Sequence, residues 1–213
     1  MDHKHLEAFV LSALVLSLIL LAWHCRADLA DAHQGHDHIP PSAEQYRRQL
    51  IREVRYYFGL NEPVSPFAAQ IHQESAWRSG ICSPYACGLG QQTEATAQDL
   101  ARMYPKDLEG RAAPLDPHWS IRAMVLYMRQ FHRAYPVPDY WEERAFSLAR
   151  YNGGSGHVQR ERTMAKAAGA DPNRWFLHVE RFCKRAAWAC RENRDYPRKI
   201  LFRWEPLYRA AGW

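Results

Sequence analysis

One glutamate lies where a helical pattern otherwise places apolar side chains. In the helix predicted over residues 66–77, Phe67 and Ile71 mark the inner face, and Glu74 shares that face at helical spacing. Burial raises a carboxyl pKa by penalising the anion, and the negative end of the helix dipole acts in the same direction. A glutamic acid kept protonated near neutral pH suits general acid catalysis. An ion pair with an arginine is the structural alternative for Glu74.

Two glycine-containing segments downstream carry polar side chains. The first, residues 83–93, precedes a helix cap and contains Gln91, so that its backbone and amide can approach a ligand closely. The second, residues 149–156, contains Tyr151 and Asn152 before a glycine pair. Taken alone, the second segment is more typical of a helix C-cap than of a binding loop.

In chain order, these segments resemble the motifs of lytic transglycosylases, a family whose catalytic domain is similar to goose-type lysozyme. Four family motifs have counterparts in the same order and spacing over about residues 60–200. The family's Glu-Ser corresponds to residues 74–75, its Gly-Leu-Met-Gln to 88–91, its Tyr-Asn-Ala-Gly to 151–154 and its Glu-Thr-x-x-Tyr to 192–196. Three residues depart from the family pattern, because Gly90 replaces Met, Gly153 replaces Ala and Asn193 replaces Thr. Any one motif is weak, and the resemblance depends on all four occurring together.

The departures affect the expected geometry of the site. Gly90 removes a side chain that would line the cleft. Pro197, directly after Tyr196, restricts the preceding backbone and is expected to shift the last motif. The segment 83–88 is also one residue shorter than is usual in the family.

The resemblance implies that Glu74 acts alone, first as an acid and then as a base. Glycosidases usually use two carboxylates, but no motif ties a second one to Glu74; Glu62, Glu94 and Asp99 are typical surface charges. The family's glutamate protonates the glycosidic oxygen between N-acetylmuramic acid and N-acetylglucosamine. The substrate's acetamido group stabilises charge at C1, and the muramoyl 6-hydroxyl closes onto C1 to leave an anhydro end. The resemblance implies no metal and no cofactor.

The resemblance also assigns roles to other side chains. Tyr151 would hold and polarise the catalytic glutamate. The remaining substrate-contact candidates are Gln91, Asn152, Ser83, Ser75 and, closing the cleft, Tyr196. Structural alternatives stay open at three of these: Ser75 as a helix-end cap, Asn152 as a helix C-cap and Tyr196 as a core residue.

The elements expected to position these residues are helices. Ser42 and Gln45 form a candidate capping box for a first helix that ends at Gly59. Further helices are expected to begin at Ser65-Pro66, Thr93, Asp116-Pro117, about residue 141, about residue 157, Asp171-Pro172 and about residue 195. No convincing strand alternation is found, so the predicted fold class is all-α, a lysozyme-like helical domain over residues 42–213.

The N-terminal stretch differs from the rest of the chain. Residues 8–23 carry no charge, and their length lies between that of a signal-peptide core and that of a membrane-spanning helix. Small-x-small sites follow at 25–27 and 30–32, so residues 1–32 are predicted to be a signal peptide or signal anchor, which directs the chain to the periplasm and allows contact with the inner membrane. A buried helix is the alternative. Residues 33–41 are predicted to be a linker, whose His33, His36 and His38 either bind a metal or belong to a mobile tether.

Charge and cysteine usage agree with export. The chain carries a net charge of +5, and removing residues 1–32 makes it more basic, which suits an anionic partner such as the cell wall or lipid headgroups. No basic stripe or zinc-finger spacing indicates nucleic acid. The cysteines after residue 32 fit an oxidising compartment. Cys82 and Cys87 are close enough to bridge across a turn, whereas Cys183 and Cys190 can pair only if no regular helix joins them.

The predicted partner is therefore the glycan strand of peptidoglycan, and the enzyme is expected to act as a monomer. A hydrolytic muramidase is the nearest alternative. A non-catalytic wall-binding component of a secretion or phage apparatus is a second alternative, which the intact Glu74, Gln91 and Tyr151 disfavour. The biological setting stays open between phage lysis, wall turnover and opening the wall for a secretion or conjugation apparatus.

Overall fold

The computed structural model describes residues 38–213, and its secondary structure is mainly helical. The all-α prediction is thereby confirmed. The helices are α1 (Glu44–Phe58), α2 (Ser65–Ser75), α3 (Glu94–Met103), α4 (Pro117–Phe131), α5 (Tyr140–Gly153), α6 (Ser155–Ala167), α7 (Ala187–Arg198) and α8 (Glu205–Ala210), with 3-10 turns at Pro41–Ala43 and Val179–Arg181 and a π-helical segment at Lys199–Trp204. Two short strands, β1 (Ala86–Cys87) and β2 (Gln92–Thr93), pair antiparallel.

Helix α2 lies at the centre of the fold. Eight consecutive residues from Ser65 to His72 are buried, so the helix is surrounded by other elements rather than lying on the surface. The π-helical segment, α8 and α1 pack against it. The chain leaves α2 through Ala76 and Trp77, which both have left-handed backbone conformations, with φ of 48° and 61°. The Trp77 indole then donates to the Tyr208 hydroxyl on α8 at 2.5 Å, which fixes the end of the helix that carries Glu74.

Two of the predicted helix starts are confirmed in detail. The Thr93 side chain accepts a hydrogen bond from the backbone N–H of Thr96 and caps α3. Asp116 accepts from the N–H groups of His118 and Trp119 and caps α4. These caps form where predicted because the interaction is local to one turn of chain.

Other sequence predictions of helix boundaries are wrong. Ser42 does not cap α1, which continues from a 3-10 turn. The expected helix start at Ser65-Pro66 is confirmed, but the Ser65 side chain does not cap the helix, because its hydroxyl donates to Glu205 on α8 at 2.8 Å. No helix begins at Asp171-Pro172, where the Asp171 side chain instead accepts from the N–H of Asn173 in a turn.

Pro197 does not end the last helical region. The chain remains helical from α7 through Pro197 and widens into the π-helical segment directly afterwards. Proline removes one backbone donor from a helix, and a π turn is one way to absorb the mismatch. Tyr196 therefore lies on α7.

Both candidate disulfide pairs are formed. Cys82 bonds to Cys87 across the turn that leads into β1, and Cys183 bonds to Cys190. Helix α7 begins only at Ala187, so no regular helix separates the second pair. Within residues 38–213, no helix combines the length and apolar character needed to span a membrane. The hydrophobic segment 8–23, as well as His33 and His36, lies outside the described residues.

Candidate active site

The last turn of α2 presents Glu74 to a cavity of about 560 Å³. Glu74 is half-buried, and the Tyr196 hydroxyl on α7 donates a short hydrogen bond to its Oε1. Burial raises the pKa of the Glu74 carboxyl to about 8; the neighbouring Glu192 adds to the rise, whereas the bond from Tyr196 opposes it. Glu74 is therefore protonated at neutral pH and lies against space large enough for a ligand.

The cavity beside Glu74 brings together most of the residues predicted for the site. We call it the Glu74 cavity; the predicted residues that line it are Ser83, Gln91, Tyr151 and Asn152. A smaller adjoining cavity of about 300 Å³ is lined by Glu74, Tyr196 and Glu192, among others. Ser75 lines neither cavity.

The loop before β2 is folded by its own polar groups. The Gln91 amide donates to the carbonyls of Gly88 and Ile81, at 2.9 and 3.2 Å, and the Ser83 hydroxyl accepts from the N–H of Ala86 at 3.0 Å. A Cβ at Gly88 would lie 1.7 Å from the Pro114 carbonyl oxygen, so only glycine fits there. These contacts fix one wall of the Glu74 cavity.

Ser75 connects this loop to the helix. Its hydroxyl is 1% exposed and lies within hydrogen-bond distance of the carbonyl oxygens of Ile71, at 3.2 Å, and Leu89, at 3.0 Å. The expectation that Ser75 contacts substrate is therefore wrong, because the side chain is fully enclosed. Its observed role is to hold the loop at residue 89 against the end of α2.

The two tyrosines differ from their predicted roles. The Tyr151 hydroxyl donates to the Gly90 carbonyl at 2.6 Å, and the direct donor to Glu74 is Tyr196. Tyr196 is only 5% exposed, so it does not close over the cleft as expected but lies beneath the carboxylate. Burial and the nearby Glu74 carboxylate raise the pKa of both tyrosines well above its ordinary value, so both hydroxyls stay protonated.

Two departures from the family motifs compensate each other. A Cβ at Gly153 would lie 2.4 Å from Nδ2 of Asn193, which is itself 1% exposed. The Asn193 amide uses this room to donate to the Ala149 carbonyl at 2.8 Å and to Oδ1 of Asn152 at 3.1 Å. The glycine in place of Ala and the asparagine in place of Thr thus form one matched pair that orients Asn152.

The carboxylates considered from the sequence as partners of Glu74 do not line the Glu74 cavity. Glu62 pairs with the buried Arg144, Glu94 accepts from Gln98, and Asp99 pairs with Arg102. The second carboxylate of the Glu74 cavity is Glu192, whose Oε1 accepts from the Asn152 amide at 3.2 Å. Sequence reasoning included Glu192 in a motif but gave it no role.

Other cavity-lining residues carried no sequence signal. They include two exposed aromatic side chains and three polar ones: Tyr85, Trp188, Gln92, His157 and Arg185. Tyr85 and Trp188 belong to the two segments closed by disulfides, and neither segment shows a periodic pattern. Within the described part of the chain, no cluster of three or more His, Cys, Asp or Glu side chains is arranged to bind a metal ion.

The family model for the transglycosylase SLT domain matches residues 59–173, which is more than half of the chain. The chain belongs to this family. The matched residues include the Glu-Ser, Gly-Leu-Gly-Gln and Tyr-Asn-Gly-Gly motifs, whereas Tyr196 lies beyond them. The resemblance inferred from the motifs is thereby confirmed.

Several curated lytic transglycosylases are similar to the chain. The membrane-bound lytic murein transglycosylase F of Ectopseudomonas mendocina is 33% identical over 136 residues, which is 62% of the chain and 26% of that protein. Its namesake from Stutzerimonas stutzeri is 33% identical over 166 residues, 76% of the chain and 32% of that protein. The chain thus spans only a quarter to a third of the length of these two relatives.

One solved structure shows a similar fold. The 70 kDa soluble lytic transglycosylase of Escherichia coli superimposes with a TM-score of 0.56 at 25% sequence identity. The match covers 75% of this chain and 24% of that one. The lysozyme-like arrangement expected from the motifs is therefore found in the described residues.

Proposed function

We propose that the chain is a peptidoglycan lytic transglycosylase, in which Glu74 serves as the single acid and base. The observation that carries the proposal is a glutamic acid at the end of α2 that is bonded to a buried tyrosine and faces the Glu74 cavity. Burial raises the pKa of this carboxyl to about 8, which agrees with a role as an acid. Membership of the SLT-domain family and the names of the curated relatives support glycan strands of peptidoglycan as the substrate.

In the first step, Glu74 donates its proton to the glycosidic oxygen between N-acetylmuramic acid and N-acetylglucosamine. The C1–oxygen bond breaks, and the sugar hydroxyl that forms leaves with the N-acetylglucosamine unit. The substrate's own acetamido group stabilises the positive charge that develops at C1. Glu74 is left as a carboxylate, which the Tyr196 hydroxyl stabilises through the bond to Oε1.

In the second step, the Glu74 carboxylate takes the proton of the muramoyl 6-hydroxyl. That oxygen closes onto C1 and forms the 1,6-anhydro ring, so the enzyme returns to its protonated state and no water is consumed. A pKa of about 8 suits both steps, because the group gives up and regains a proton near neutral pH. The closing hydroxyl belongs to the same sugar, so its effective concentration is high.

The test is cleavage of purified peptidoglycan by wild type and by Glu74→Gln, with the released muropeptides analysed by mass spectrometry. We expect wild type to release anhydro ends, about 18 Da lighter than reducing ends because one water is not added. The Glu74→Gln variant should keep its circular dichroism spectrum and release nothing. Full cleavage by that variant would refute the proposal.

The hydrolytic alternative has one specific observation in its favour. Glu192 lines the Glu74 cavity, and its charge helps to raise the pKa of Glu74. An inverting hydrolase would need such a second carboxylate to activate water. If the enzyme were such a hydrolase, Glu192→Gln would abolish cleavage and the wild-type products would carry reducing ends. If it is a transglycosylase, Glu192→Gln should still release anhydro products.

For the cellular location, we propose a periplasmic enzyme associated with the inner membrane. Its signal or anchor would be residues 1–32, followed by a linker over 33–41 and the catalytic domain over 42–213. The curated relatives are named as membrane-bound, which supports this location. N-terminal sequencing of the exported protein would show whether residues 1–32 are removed, and gel filtration would test the expected monomer.

A further inference from the structure

A second cavity, of about 510 Å³, opens directly beside the Glu74 cavity. We call it the α6 groove, because it lies between α6 and the segment that the Cys183–Cys190 disulfide closes. His157 and Arg185 line both cavities, so the two spaces share a border. The other residues that line the α6 groove are Gln159, Arg160, Glu161, Thr163, Met164 and Lys184. A ligand bound at Glu74 can therefore extend into the groove along the surface of the protein.

The α6 groove carries an excess of positive charge. The carboxylate among its lining residues belongs to Glu161, which is buried and pairs with Arg185 at 2.9 Å. Arg160 and Lys184 are exposed, and neither has a carboxylate partner in the part of the chain that the structure describes. Burial and the charges of Arg185 and Arg160 lower the pKa of His157, so its ring adds no negative or positive charge at neutral pH. Two cations are thus left to meet an anionic ligand.

The proposed substrate supplies an anion at this place. Each muramoyl sugar of peptidoglycan carries a short peptide on its lactyl group, called the stem peptide, and that peptide has free carboxylates. Lysine and arginine bind carboxylates through charged hydrogen bonds, and a basic groove attracts them from solution. The N-acetylglucosamine units are uncharged and give the two cations no partner. The volume of the groove lies within the range of pockets that hold small ligands.

We propose that the α6 groove binds the acidic stem peptide of the muramoyl unit, with Arg160 and Lys184 pairing with its carboxylates. The inference rests on the proposed function, because the Glu74 cavity must hold the sugar to which the peptide is attached. Helix α6 carries Arg160, and the disulfide at Cys183 fixes the backbone next to Lys184. The enzyme therefore prefers strands that carry stem peptides to strands from which the peptides have been removed.

The test measures binding and does not depend on cleavage. The ligands are the disaccharide of N-acetylglucosamine and N-acetylmuramic acid with its tetrapeptide and the same disaccharide without a peptide. Neither contains the bond that the enzyme is proposed to cut, so both are titrated into the full chain by calorimetry. We expect the double variant Arg160→Gln/Lys184→Gln to bind the peptide-bearing disaccharide about tenfold more weakly and the peptide-free one as wild type does. Added salt should reduce the difference, because both side chains are exposed.

The matched control is the double variant Arg52→Gln/Lys106→Gln. It removes the same charge from two exposed side chains that line neither the Glu74 cavity nor the α6 groove. The control should leave the binding of both ligands unchanged. The melting temperatures of both double variants should match that of wild type, since only exposed side chains are replaced.

Three results would overturn the inference. The first is unchanged binding of the peptide-bearing disaccharide by Arg160→Gln/Lys184→Gln. The second is equal weakening of both ligands, which would assign the two cations to the lactyl carboxylate of the bare sugar. The third is an equal loss in the control variant, which would show a general effect of charge. Cleavage of peptidoglycan that persists in Glu74→Gln would overturn the proposed function instead, and the binding comparison would still decide whether the groove holds the peptide.

Discussion

The hydroxyl of Tyr196 is the most informative group to remove, because it contacts the proposed catalytic acid directly. Tyr196→Phe deletes the donor to Oε1 of Glu74 and the hydroxyl's contact with Gln70, while the ring stays buried. The bond favours the carboxylate and so holds the pKa of Glu74 below the value that burial alone would give. Without the bond, the pKa must rise above about 8.

The size of the change follows from the energy of the bond. A hydrogen bond to a charged group contributes about 1.5–3 kcal/mol, and one pKa unit corresponds to about 1.4 kcal/mol, so the pKa should rise by about one to two units. Glu74 must be protonated to act as an acid, and kcat/KM falls as pH rises through its pKa. In Tyr196→Phe, the fall in kcat/KM should therefore occur about one to two pH units higher than in wild type.

The assay is release of muropeptides from peptidoglycan between pH 6 and about 10, analysed as kcat/KM. Tyr151→Phe is the matched control, because its hydroxyl donates to the Gly90 carbonyl and not to Glu74. We expect the control to lower activity without moving the alkaline limb. If Tyr196→Phe left the limb in place, or if Tyr151→Phe moved it equally, the assignment of Tyr196 as the partner of Glu74 would be refuted.

Three further outcomes are expected. Because the pKa of Glu74 is raised, the contribution of this group to stability is complete below about pH 4.5 and is lost as pH rises through about 8. Glu74→Gln should therefore become more stable than wild type across that range, by at most about 5 kcal/mol. Urea unfolding at successive pH values measures this difference. Gly153→Ala should destabilise by about 1–3 kcal/mol through its clash with Asn193, and adding Asn193→Thr should restore most of the loss. Replacing Cys183 and Cys190 by serine should cost about 2–3 kcal/mol in the same assay.

What the sequence predicted well was local or contained in a motif. The caps at Thr93 and Asp116 form because each involves only the next turn of chain. Glu74 was found because a carboxylate on an apolar face contradicts the pattern around it. The failed start at Asp171-Pro172 shows the limit of such signals, because a cap sequence without an apolar stripe behind it forms only a turn.

The contact between Tyr196 and Glu74 could not be predicted from spacing. The two residues are 122 positions apart, and an aromatic residue on a helix face is the normal pattern of a core position. The contact between Gly153 and Asn193 was equally unpredictable from the sequence. Each departure from the family motif suggests a lost interaction until the structure shows that the two residues lie against each other. Both contacts depend on packing between distant parts of the chain, which the periodicity of a single sequence does not reveal.

The two disulfides each close a segment that lines the Glu74 cavity. One ties the turn that bears Ser83 and Tyr85, and the other ties the segment that bears Arg185 and Trp188. Cytosolic thiols are kept reduced, whereas exported proteins form such bonds. Covalent closure of the two cavity segments therefore requires an oxidising environment. Under reducing conditions the chain would keep Glu74 on α2 but would lose the covalent closure of both cavity segments.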